Sequence, residues 1–308
     1  MQKKNKGIKA IIIVLIAVLA IIFMLLPILA IGSYKMVFGV RYETDPARMN
    51  KVEDYPGLQD TKCEFISNEG QKIAAHKYYR DGQDIKGVVI MAHGIGGGGH
   101  NSYMDLADRF TQSGYIAFAY DVTGNDDSEG DDVHGLPQGV IDLDRAISYV
   151  ENDPELKNYP IFLFGHSWGG YSVTSVLNEH PEVTAVCSVA GFNESSDLLC
   201  AQGRDMIGPV IYFLLPYMDL YEYIKFGDYA TQTGMGGLAK TDAKILILHS
   251  SDDTTVPIEY GYDIYYEKYQ NDPDFKFIKF SDKGHNKILS SEDYDTMADV
   301  IEFFDSAC

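Results

Sequence analysis

Cysteine is scarce in this chain, at 4 of 308 residues, far too few for a disulfide-stapled scaffold. Positive charge is also in short supply. Lys and Arg total 25 against 45 Asp and Glu, a formal net charge of −20. That balance argues against a nucleic-acid partner, which requires a basic surface. There is no internal repeat, and no low-complexity run apart from Gly96–Gly99. What the chain has in plenty excludes disorder. Hydrophobic residues make up 45% and aromatics 12%, enough to build the core of one large domain or two small ones.

The N-terminus reads as a membrane signal. Residues 1–9 carry four lysines and no acid, and Ala10–Ile31 follows with 22 residues and no polar side chain. At about 1.5 Å per residue this run reaches roughly 33 Å, enough to cross a bilayer core. A secretory signal would have an apolar region of about 7–15 residues, and Ala30-Ile31-Gly32 resembles its cleavage site; the greater length favours an uncleaved anchor. Lysines ahead of the span place the N-terminus in the cytoplasm and the rest outside. The expected organisation is a cytoplasmic basic segment over 1–9, a transmembrane anchor over 10–31, a linker over 32–62 and a globular domain over 63–308. The expected protein is therefore a single-pass cell-membrane protein with an extracytoplasmic domain. Export permits disulfides, yet Cys187 lies in an apolar run and no pair is assigned.

Within the domain, short apolar runs alternate with segments of helical spacing. Ile73–Tyr79 alternates as a half-buried strand, and Val88–Ala92 is continuously apolar, as in a strand covered on both faces. Tyr115–Tyr120, Ile161–Phe164, Val183–Ala190, Ile245–Leu248 and Phe275–Phe280 repeat the pattern. Between them, Tyr103–Gln112, Val140–Val150, Gly170–Leu177 and Ile258–Tyr269 read as helices, and Met297, Ile301 and Phe304 mark a last one. This order predicts an α/β fold: a mostly parallel central sheet flanked by helices, with ligands at the C-terminal ends of the strands. The rhythm breaks over 192–241, far longer than a connection requires. That insertion contains the apolar stretch Met206–Met218 and reads as a helical cap.

Ile161–Phe164 runs straight into Gly165-His166-Ser167-Trp168-Gly169, then into a helical segment. This is G-x-S-x-G between a strand and a helix. The sharp turn pushes the serine hydroxyl above the sheet edge, and its glycines sit where a β-carbon would clash. A serine needs a base, and the base an orienting acid. Only His180, His249 and His285 follow Ser167. His180 ends the helix behind the nucleophile and His249 ends a strand, so His285, on the loop after the last strand, is the base. The acid belongs after Ile245–Leu248, where Asp252 and Asp253 compete; Asp253 is the first choice. An oxyanion needs two backbone donors. Trp168, after the nucleophile, supplies one. Ile95, in the glycine-rich run His93–Gly99, is assigned the other.

With these residues in place the chain resembles the α/β-hydrolase fold family over about 63–308. The shared elements are His93-Gly94, Gly165-x-Ser167-x-Gly169, Asp253-x-x-Val256-Pro257 and Gly284-His285. The resemblance is to the branch of serine aminopeptidases, monoacylglycerol lipases and carboxylesterases. It implies that Asp121–Gly130 lies near the site, although Thr123 and Asp126 depart from the branch's usual pattern. It also places a cap between the sixth and seventh strands, where residues 192–241 fall.

The acid-rich run Asp126–Asp132 reads as a solvated acidic loop, His93 as structural and His166 as a packing residue. His76, His100 and His134 lack ligand spacing, so no metal is expected, and the triad calls for no cofactor. The expected function is a membrane-anchored serine hydrolase acting on a small-molecule carboxylic ester through an acyl-enzyme. Phe213, Leu214 and Tyr217 of the cap are expected to bind the acyl chain. An aminopeptidase is the alternative, with Glu194, Asp197, Asp205, Asp219, Glu222 or Asp228 holding the substrate amine. A catalytically silent, surface-displayed binding domain is the alternative from another class.

Overall fold

The computed structural model describes residues 2–289 and 294–308. A long N-terminal helix, α1 (Gln2–Phe38), leads into two single 3₁₀ turns and then a sheet of eight strands. The strands are β1 (Gln59–Ile66), β2 (Lys72–Tyr79), β3 (Gly87–Ala92), β4 (Tyr115–Tyr120), β5 (Ile161–His166), β6 (Ala185–Val189), β7 (Lys244–Ser250) and β8 (Phe275–Phe280). Their order across the sheet is β1-β2-β4-β3-β5-β6-β7-β8. The β1–β2 and β2–β4 pairs are antiparallel and every other pair is parallel.

The sheet's centre is buried on both faces, which explains its uninterrupted apolar runs. Val88, Ile90, Leu163, Val186 and Ile245 point to one side, where Val140, Leu143 and Ile147 of α3 (Leu136–Asn152) and Tyr171 and Val173 of α4 (Trp168–Ser175) cover them. Val89, Met91, Phe162, Phe164 and Leu246 point to the other. They meet Leu106 and Phe110 of α2 (Met104–Gln112) and Val300 and Phe304 of α9 (Tyr294–Asp305). The cap folds as α5 (Ser195–Ile207), α6 (Ile211–Phe226) and α7 (Gly234–Leu238), and α8 (Tyr262–Tyr269) precedes β8.

Three features depart from the sequence reading. A strand, β1, begins at Gln59 inside the stretch read as linker; its polar outer positions gave no alternating signal. The helix expected over Ile258–Tyr269 is a 3₁₀ turn and α8, separated at Gly261. And α1 does not stop at residue 31. Ala30, Tyr34 and Phe38, four residues apart, form one buried stripe against Leu214 and Met218 in the core. Tyr34 stacks edge-on against Tyr221 of α6 at 5.3 Å, and its hydroxyl donates to Glu222 Oε1 at 2.6 Å.

Among the described residues, the apolar part Phe23–Phe38 is by itself shorter than the about 20 residues a bilayer crossing needs. The stretch Ser195–Leu238 is long and apolar enough by composition, but it is not one continuous helix. Gly208 and Gly227, both at positive φ, end α5 and α6. All four cysteines are free thiols.

Candidate active site

The turn between β5 and α4 is built by backbone crowding. A β-carbon on Gly165 would strike the Gly169 carbonyl, and one on Gly169 would strike that of Ala92. Ser167 itself sits at φ 57°, ψ −113°, a left-handed conformation that a non-glycine residue adopts only under constraint. Its N–H is held by Val189 O at 2.8 Å.

Ser167 Oγ lies 2.8 Å from His285 Nε2. On the other side of the ring, His285 Nδ1 lies 2.7 Å from Asp253 Oδ2. Asp253 sits on the turn after β7, His285 on the loop after β8, and both strand ends open on the same edge of the sheet as the Ser167 turn. Burial works against the Asp253 charge. Hydrogen bonds from His249, His285 and the Val256 N–H outweigh it and hold the carboxyl well below the ordinary range. His249, which the sequence offered only as a rejected base, therefore supports the acid: its Nε2 is 3.4 Å from Asp253 Oδ2. Asp252 points elsewhere, its Oδ1 accepting the Gly284 N–H at 2.9 Å.

The glycine-rich loop after β3 is tethered at both ends. His93 is buried beneath it, accepting from Val122 N–H at Nε2 and donating to Gly94 O from Nδ1, at 2.9 and 2.7 Å. At the far end, Gly99 N–H donates to Asp126 Oδ2 and His100 N–H to Asp121 Oδ1, each at 2.7 Å. Asp126 also accepts from Thr44, and the Arg41 guanidinium binds the Ser128 and Gly130 carbonyls. The run read as a solvated acidic loop thus includes one of the two carboxylates that fix this loop, Asp126, and the other, Asp121, lies at the end of β4 just before it. Spacing gave no sign of it, because the acceptors lie more than twenty residues from their donors. Gly94 N–H is taken by Tyr103 Oη at 3.1 Å, which leaves Ile95 as the next amide on the loop. Trp168 opens α4, where an amide has no intrahelical acceptor, and its indole N–H is anchored on Leu136 O at 2.7 Å.

A cavity of about 400 Å³ surrounds Ser167 and His285. Ile95, Tyr103, Asp105, Leu106, Ile288 and Leu289 are among its walls. Phe213, Leu214 and Tyr217 are not. Phe213 is 66% exposed, Leu214 is buried in the core, and Tyr217 packs at the core's margin. The apolar cap stretch turned those positions outward and onto α1 instead of over the serine. The cap acid Glu222 is also engaged elsewhere, by Tyr34 and Ser195.

The "Serine aminopeptidase, S33" family profile matches residues 83–226. A Pyrococcus furiosus esterase has the same fold, with a TM-score of 0.65 over 87% of this chain and 98% of that one, at 15% identity. The chain has the α/β-hydrolase fold. Among relatives by sequence, this α/β-hydrolase is 31% identical to a caffeoylshikimate esterase of Arabidopsis thaliana, over 37% of the chain and 35% of the relative. It is also 31% identical to a monoglyceride lipase of Rattus norvegicus, over 38% of each. The α/β-hydrolase chain spans 35% to 43% of the length of the curated relatives it matches.

Proposed function

We propose that this α/β-hydrolase is a membrane-anchored serine hydrolase that cleaves carboxylic esters. Ser167 Oγ attacks the acyl carbon while His285 Nε2 takes its proton. Asp253 holds the imidazole in the tautomer that leaves Nε2 bare. The N–H groups of Ile95 and Trp168 receive the charge that develops on the carbonyl oxygen. The alcohol departs with the proton from His285. Water, deprotonated by the same ring, then cleaves the acyl-enzyme and restores Ser167. The reaction so written uses no metal or organic cofactor.

The observation that carries this reading is the line of hydrogen bonds from Ser167 Oγ through His285 to Asp253, at 2.8 and 2.7 Å. Treatment with a fluorophosphonate tests it. The protein should be labelled covalently and should hydrolyse nitrophenyl esters, and Ser167→Ala should lose both together. Labelling at another serine with full activity would move the nucleophile. A chain that neither labels nor turns over would be the silent binding domain.

Asp105 supports a second reading, as a peptidase acting on a free α-amine. It lines the same cavity, and its Oδ2 is buried without a hydrogen-bond partner among the described residues. Burial pushes this carboxyl above its ordinary range, against the pull of Arg109, so a substrate ammonium would gain by pairing with it. Preference for aminoacyl-naphthylamides over esters, abolished by Asp105→Asn, would decide for this reading; ester preference indifferent to Asp105→Asn would remove it.

The anchor is supported by the side chains of α1. Ile11, Ile13, Val14 and Ile16 are each at least 60% exposed, an arrangement that lipid accepts and water does not. Met206, Phe213 and Ile224 extend the exposed apolar surface onto the cap that α1 contacts.

A further inference from the structure

We infer that His166, the residue between Gly165 and the nucleophile, is a positioning residue that joins the oxyanion loop to the loop carrying the base. The inference rests on the serine-hydrolase reading above. His166 Nε2 lies 3.0 Å from the backbone carbonyl of His285, and its Nδ1 lies 2.8 Å from Tyr103 Oη. Tyr103 Oη in turn receives the Gly94 N–H at 3.1 Å.

These contacts admit one arrangement of protons. A carbonyl only accepts, so Nε2 carries the hydrogen. Burial, followed by the neighbouring His285, lowers the pKa of His166 to about 4, so the ring is neutral and Nδ1 is bare. Tyr103 must therefore donate to Nδ1, which leaves its oxygen free to accept from Gly94. The resulting chain runs in one direction, Gly94 N–H to Tyr103 O–H to His166 Nδ1, and His166 Nε2–H to the His285 carbonyl. The groups facing this ring are His285 on its own loop, Asp253 and His249 beyond it, and Asp105 on α2, which lines the same cavity.

The chain's two ends are the two loops whose separation sets the reaction geometry. Gly94 precedes the oxyanion donor Ile95. The His285 carbonyl belongs to the residue whose Nε2 must meet Ser167 Oγ. His166 is itself fixed between β5 and the crowded turn, so it transmits a rigid reference to both. Backbone placement errors of about 1 Å cost around 10²-fold in turnover.

The test compares His166→Phe, His166→Gln, Tyr103→Phe and the double variant His166→Phe/Tyr103→Phe on a nitrophenyl ester, with melting curves to check folding. His166→Phe should lower kcat by about 10- to 100-fold with KM moved far less. His166→Gln can place its amide where Nε2 stood and should recover part of that loss. Because Tyr103 and His166 serve one chain, the double variant should lose less than the product of the two single losses. Multiplying losses, or a His166→Gln variant as poor as His166→Phe, would overturn the inference while leaving the nucleophile assignment intact. An unmodified chain that neither labels nor hydrolyses any ester or aminoacyl substrate would overturn both.

Discussion

The two adjacent aspartates show how much one side chain's direction decides. Asp253 turns toward His285, and its second oxygen receives the N–H groups of Thr255 and Val256, each at 2.9 Å. Asp252 turns away to brace the loop at Gly284. Asp253→Asn should therefore cost roughly 10⁴-fold in turnover, as loss of the orienting acid does in the worked triad, whereas Asp252→Asn should cost much less. Steady-state rates on one ester rank the two, and the reverse ranking would transfer the acid's role to Asp252. Ser167 and His285 were legible because strand, turn and chain order narrow the choice to single residues. The supporting groups were not. Asp121 and Asp126 act through contacts that bridge distant loops, and no local pattern marks a carboxylate as an acceptor for an amide far along the chain, while His249 sits only four residues from Asp253 and shows its role only once the turn between them is folded.

Elements with a strong period were read from the sequence, and those that depend on a partner were not. The central strands announced themselves by continuous apolar runs. In contrast, β1 has a mixed pattern because only one of its faces is covered. The end of α1 was misplaced for a related reason, since Tyr34 and Phe38 become helical core only where α6 receives them. That junction encloses Glu222, which is 2% exposed. Burial raises its carboxyl to about 7 from an ordinary 4.5, against the stabilising donors Tyr34 and Ser195, and nearby Asp219 adds to the rise. The native state thus keeps a proton that the unfolded chain gives up earlier. The stability this group contributes is complete below about pH 4.5, declines as pH rises toward 7, and is flat above. Glu222→Gln should abolish that decline, so its melting temperature relative to the unmodified protein should rise between about pH 4 and pH 8. Parallel melting curves across that range would show that Glu222 is not held protonated by the α1–α6 contact.

At the scale of the whole molecule, charge and apolar surface oppose each other. A net charge of −20 repels anionic headgroups, so electrostatic attraction cannot hold the domain at a membrane. Any association must then come from the apolar helix and the exposed side chains beside it, and its salt dependence distinguishes the two origins. Charge-mediated binding weakens as salt shortens the Debye length to about 3 Å at 1 M, whereas burial of apolar surface in lipid does not. The full chain should therefore stay with membranes through a high-salt wash and leave only with detergent. Replacing Met206, Phe213 and Ile224 by serine should not release it, because a spanning helix binds far more strongly than a few interfacial side chains. Intact-mass measurement of the detergent-extracted protein should still find residues 1–31. A soluble product beginning near Ser33 would instead make that segment a cleaved signal. It would also remove Ala30, a fully buried member of the stripe that docks on the cap, so the shortened protein should melt at a lower temperature than the full chain.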